Sequence, residues 1–133
     1  MKSYQVGDKA SLKVIATEQI VNDIARISGD VNPIHLDEEY AKHSIFKKKI
    51  AHALFCINTV SRILGTVLPG EGTILLSQEF KYLHPVYIGD SIEVSVVVTE
   101  IKREKNIYIL NIDCVNQENV VVMEGKSVVK YQG

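Results

Sequence analysis

Charge of a prevailing sign is the first thing this 133-residue chain lacks: fifteen Lys and Arg stand against sixteen Asp and Glu, for a formal charge of −1. Nothing global therefore pulls it toward nucleic acid or an anionic membrane, and an anionic ligand must be met by a local patch. Cysteine is scarce. Cys56 falls in an apolar, helix-like run and Cys114 in a strand-like one, which suits two buried free thiols rather than a disulfide framework. Long hydrophobic runs are also missing. Met1 to Lys13 alternates polar and apolar residues without an apolar core of signal length, so the expected compartment is the cytoplasm. No repeat, linker or low-complexity segment breaks the chain, and its length suits one domain, 1–133, that buries roughly two thirds of its unfolded surface.

What is there divides into a helical first half and a strand-rich second half. Ser11 to Ala16 reads as a short strand. Thr17 is a helix N-cap, and Ile20, Val21, Ile24 and Ile27 recur at helical spacing until Gly29. A second short helix is expected from Leu36 to His43. Ile50 to Leu64 is the most apolar continuous stretch, apolar on nearly every side, and so reads as a buried helix too short to span a bilayer. After Pro69-Gly70 the period changes to two, giving strands Thr73 to Leu83, Ser91 to Lys102, Asn106 to Asn116 and Val120 to Tyr131. The last three are joined too tightly for parallel crossovers and form an antiparallel meander. One buried helix and a twisted antiparallel sheet pack best with the sheet wrapped around the helix, an α+β layout. Its open edges call for a second copy, so a homodimer is expected.

Ser28-Gly29-Asp30-Val31-Asn32-Pro33-Ile34-His35 sets an acid and an imidazole five positions apart. Pro33 argues against helix across the run and makes it a turn. A carboxylate and an imidazole converging on a turn are suited to holding and deprotonating a water. The plainer reading is that Asp30 and Asn32 only form the turn through side-chain-to-backbone bonds.

The wider context goes beyond a turn. Ile27-Ser28-Gly29-Asp30-x-Asn32-Pro33-Ile34-His35 with Asp37, Tyr40 and Ala41 closely resembles the signature of the MaoC-like (R)-specific enoyl-CoA hydratases. The likeness continues through Ile50-Ala51-His52, Leu64-Gly65, Leu68-Pro69-Gly70-Glu71-Gly72 and Pro85-Val86-Tyr87-Ile88-Gly89-Asp90. The resemblance implies a hot dog fold and reversible hydration of a trans-2-enoyl-CoA to an (R)-3-hydroxyacyl-CoA. It further implies Asp30 and His35 as the catalytic pair sharing one water, the Ala53 backbone amide as donor to the thioester oxygen, and Ser61 as support for the pair. Coenzyme A would be part of the substrate, and no separate cofactor is implied. Two departures stand out. Ile24-Ala25-Arg26 replaces an aromatic residue, which touches packing only. Ala53 replaces a glycine, which matters if that position needs positive φ.

Other residues carry weaker readings. Asn32 holds the turn, and His52 reads as a packed, hydrogen-bonded histidine. His43 and His84 read as surface or turn residues. Lys47, Lys48 and Lys49 precede the buried helix, where a coenzyme A phosphate could dock, although charge runs are usually solvated loops. A metal on Asp30, His35 and Asp37 is disfavoured, because two hard carboxylates with one histidine make a poor zinc site. The competing functions are a hot dog thioesterase or acyl-carrier-protein dehydratase, and a non-catalytic acyl-CoA binding module. The first pair usually places Asp or Glu on the central helix, yet Ile50 to Gly70 contains neither.

Overall fold

A computed structural model describes residues 3–133; Met1 and Lys2, at the head of the stretch read for a signal, lie outside the described residues. The elements in order are β1 (Lys9–Ile15), α1 (Glu18–Ser28), α2 (Pro33–Leu36), α3 (Glu38–Lys42), α4 (Leu54–Thr66), β2 (Ile74–Tyr82), β3 (Ser91–Lys102), β4 (Ile107–Val115) and β5 (Val121–Lys130). The sheet is antiparallel in the order β1-β3-β4-β5-β2. The meander β3-β4-β5 forms its middle. Ile92, Val94, Val96 and Val98 from β3 and Tyr108, Leu110, Ile112 and Cys114 from β4 are all buried on one face, as their alternation requires.

Helix α1 begins and ends where its sequence says it should. The Thr17 hydroxyl accepts from the Ile20 N–H at 3.1 Å, and Gly29, at φ 77°, closes the helix by donating its N–H to the Ala25 carbonyl. Pro33 behaves differently from expectation. It opens the one-turn helix α2, where a proline needs no amide hydrogen, and Asn32 caps that turn by accepting from the Ile34 N–H at 3.3 Å. His35 therefore stands on a helical turn, and only Gly29 to Asn32 is irregular. The short helix expected from Leu36 to His43 is split, with Asp37 ending α2 and capping α3.

Helix α4 starts four residues later than the apolar stretch suggests. Ile50 is instead held in a bridge to Tyr87, and the Ala51 N–H donates to Val86 at 2.7 Å. Ala53, the residue before the helix, offers no side-chain acceptor, which forgoes about 1 kcal/mol. Burying Phe55, Cys56, Val60, Ile63 and Leu64 outweighs that, since each large apolar side chain contributes roughly 1.5–3 kcal/mol. The helix is not buried all round. Leu54, Asn58, Ser61, Arg62 and Gly65 form an exposed face. At the other edge of the sheet, Gly125 of β5 faces Phe80 of β2, and a Cβ there would lie 2.0 Å from the Glu79 carbonyl oxygen and 2.6 Å from the Phe80 ring. Glycine is required for the strands to meet so closely.

Candidate active site

Asp30 and His35 reach one cleft by different routes. Gly29 turns the chain out of α1, after which the Ser28 hydroxyl accepts the Asp30 N–H at 3.0 Å and Asp30 Oδ1 accepts the Asn32 N–H at 3.2 Å. That leaves Oδ2 free to face His35. The imidazole is anchored by Nδ1, 2.7 Å from the Ile50 carbonyl oxygen. A carbonyl can only accept, so Nδ1 carries the proton and Nε2 presents a lone pair. Nε2 lies 3.9 Å from Asp30 Oδ2. The gap is too long for a direct hydrogen bond and short enough for one water to reach both atoms at about 2.8 Å. The His35 side chain is 10% exposed and that of Asp30 49%, so the imidazole is shielded while the carboxylate borders solvent.

The cleft has a volume of about 490 Å³ and is lined by Asp30, His35, Phe46, Ile50 to Ala53, Cys56, Tyr82 to Val86, Val122 and Met123. Ala53 adopts φ −54° and ψ −33°, ordinary right-handed geometry, so alanine in place of glycine brings no strain. The Phe55 N–H is taken by the His52 carbonyl at 3.0 Å. Ala53 and Leu54 lie ahead of it, with N–H groups that no carbonyl of their own helix can reach. Asn32 is confined to holding the turn.

Several residues are placed otherwise than the sequence suggests. Ser61 lies on the exposed face of α4, outside the residues that line the cleft, so the chain by itself does not bring it to the acid and imidazole. Lys49 is committed to Glu18 at 2.6 Å, with its side chain 11% exposed, and Lys48 stands over the Tyr87 ring at 4.7 Å. The lysine groove also contains Glu18, Glu38 and Glu39, so it is mixed in charge rather than purely basic. His43 is paired with Glu39 on the surface, whereas His84 reaches the cleft wall, which no local pattern signalled.

His52 is packed and hydrogen-bonded, as its sequence context suggests, with Nε2 2.9 Å from the Asp30 carbonyl oxygen. It joins Asp30 and His35 in a group whose ligand-capable atoms lie within 4.8 Å of one another. The fold thus supplies the second histidine that the sequence spacing did not offer a metal. Asp37 turns away to accept the Tyr40 N–H at 3.1 Å. The set still does not fit a resident ion. The two rings stack with an interplanar angle of 27°, so their lone pairs run in near-parallel planes instead of converging on one point.

The two cysteines are free and buried. Cys56 forms part of the cleft wall, and its hydrogen bond with Cys114 lowers the Cys56 thiol and raises that of Cys114, which burial raises further.

The family model described as "MaoC like domain" matches residues 5–119. The chain belongs to the MaoC-like domain family. Among curated relatives of this MaoC-like chain, a 3-hydroxybutyryl-CoA dehydratase from Methylorubrum extorquens is 40% identical over 129 residues, spanning 97% of this chain and 82% of the relative. An (R)-specific enoyl-CoA hydratase from Rhodospirillum rubrum is 37% identical over 123 residues, spanning 92% of this chain and 85% of the relative. Among solved structures, the (R)-hydratase from A. caviae involved in PHA biosynthesis superposes with a TM-score of 0.95 at 33% identity, covering 99% of this chain and 100% of that one. The architecture is the hot dog fold.

Proposed function

We propose that this MaoC-like chain is an (R)-specific enoyl-CoA hydratase, a hydro-lyase that reversibly adds water to trans-2-enoyl-CoA. The observation that carries the reading is the placement of His35: Nδ1 lies 2.7 Å from the Ile50 carbonyl oxygen, which leaves Nε2 to face Asp30 Oδ2 across 3.9 Å. A water in that gap gives one proton to His35 as its oxygen attacks C3, while Asp30 accepts its other hydrogen and orients it. The pair returns a proton to C2 on the same face, so the alkene π bond is exchanged for one C–O and one C–H bond. The two groups act on the water as a unit. Negative charge gathering on the thioester oxygen is met by the Ala53 N–H and the positive end of α4.

Coenzyme A belongs to the substrate, and the chemistry calls for no metal or redox cofactor. Lys47 and Lys48, in a groove where Lys49 is held by Glu18, are the cations we assign to its phosphates. The working compartment is the cytoplasm. A second copy would cover the exposed face of α4 and the free edge of β2, where Ile74, Leu75 and Leu76 are each half-exposed.

The test is to mix the protein with crotonyl-CoA while following enone absorbance and free thiol together. Loss of the enone without thiol release is expected, and thiol release would overturn the reading. Asp30→Asn and His35→Ala should each lower turnover at least about a hundredfold, with the circular dichroism of the parent retained. Activity within a few-fold of the parent in both would remove the pair from the mechanism.

A further inference from the structure

His52 takes no part in the proton transfers above, yet it is 3% exposed and touches both members of the pair. Its Nε2 lies 2.9 Å from the Asp30 carbonyl oxygen. Because that oxygen only accepts, Nε2 carries the proton. Nδ1 is buried and has no hydrogen-bond partner among the described residues, so a proton there would be an unsatisfied buried donor. His52 is thus a neutral ring with the tautomer opposite to that of His35. The two rings stack at a centroid distance of 3.9 Å.

We propose that His52 is a positioning residue for the Asp30–His35 pair, a role that rests on the hydratase reading. Its N–H ties the irregular backbone at Asp30 to the start of α4, holding the carboxylate at the distance a shared water needs. Its ring fixes the plane of His35, so that the Nε2 lone pair stays aimed at that water. When His35 takes the proton, it becomes a cation lying against an uncharged aromatic face, which is attractive. A charged neighbour at that distance would repel it. Small displacements of a base are costly in rate, so the loss of His52 should be felt in the chemical step rather than in substrate binding.

The two contacts can be separated. His52→Phe keeps the ring and removes the donor, while His52→Gln restores an N–H near the Nε2 position without the ring. The expected result is that His52→Phe loses about 10- to 100-fold in kcat with KM within about threefold of the parent, and that His52→Gln regains part of the loss. Both variants turning over within about threefold of the parent would overturn the role, as would a change confined to KM. The tautomers provide a readout independent of turnover and of either variant's folding. Long-range 15N–1H correlation spectra of the parent should show His52 protonated on Nε2 and His35 on Nδ1. A proton on Nδ1 of His52 would refute the proposal even in an active enzyme. A parent inactive on enoyl thioesters but with both tautomers in place would instead count against the hydratase reading alone.

Discussion

Tyr4, Tyr108 and Tyr131 meet ring to ring, with centroids 5.7 to 6.4 Å apart, and the Tyr4 hydroxyl donates to the Pro69 carbonyl at 2.8 Å. Burial raises the Tyr4 phenol above its ordinary value of 10.0, and the neighbouring phenols and Asp8 raise it further. The folded protein therefore holds a proton that the unfolded chain releases. The stabilisation is complete below pH 10 and is lost as pH climbs through the raised folded value. Tyr4→Phe should be less stable at neutral pH, by about 1 kcal/mol for the lost hydrogen bond, yet decline less steeply above pH 10 in urea titrations. An alkaline decline as steep as the parent's would show that Tyr4 is not the group responsible. At the candidate site, the resemblance singles out Asp30 and His35, which spacing alone leaves open to a plain turn, and the fold brings both to one cleft. The ring tautomers are not legible in the sequence, because the carbonyl that fixes His35 lies 15 residues away and the one that fixes His52 lies 22 away.

Among the elements, β2 and β5 meet closely at Gly125. An added methyl group cannot be absorbed by a flexible side-chain end, because the nearest atom is the Glu79 carbonyl oxygen. Gly125→Ala should cost about 1–3 kcal/mol in chemical denaturation, and a change below about 0.5 kcal/mol would mean that β2 shifts freely. The strands themselves were readable, with β3 matching its expected bounds, since period-two alternation survives in any half-buried sheet. Two elements were read less well, for physical reasons. Pro33 reads in the sequence as a helix breaker, but it occupies the first helical position, where its missing N–H costs nothing. The apolar run from Ile50 reads as one helix, although its first residue is claimed by the bridge to Tyr87. An apolar run alone cannot tell helix from extended chain.

For the whole molecule, the sheet-around-helix arrangement followed from the order and type of the elements. What encloses α4's outer face did not, because polar Asn58, Ser61 and Arg62 lie among its apolar residues. Light scattering at micromolar concentration should return the mass of two chains, and Leu76→Glu, at the half-exposed edge of β2, should shift it toward one. A one-chain mass for the parent would set aside the expectation of a second copy. Tyr82, the last residue of that same edge strand, and Leu83 after it also form part of the cleft wall, and both are substantially exposed in the single chain. A second copy seated on that edge would make catalysis and assembly share a boundary: as the protein is thinned toward the dissociation constant of such a pair, the rate per chain should drop along with the fraction of paired molecules, so the assay would register how crowded the protein is as well as how much substrate it meets.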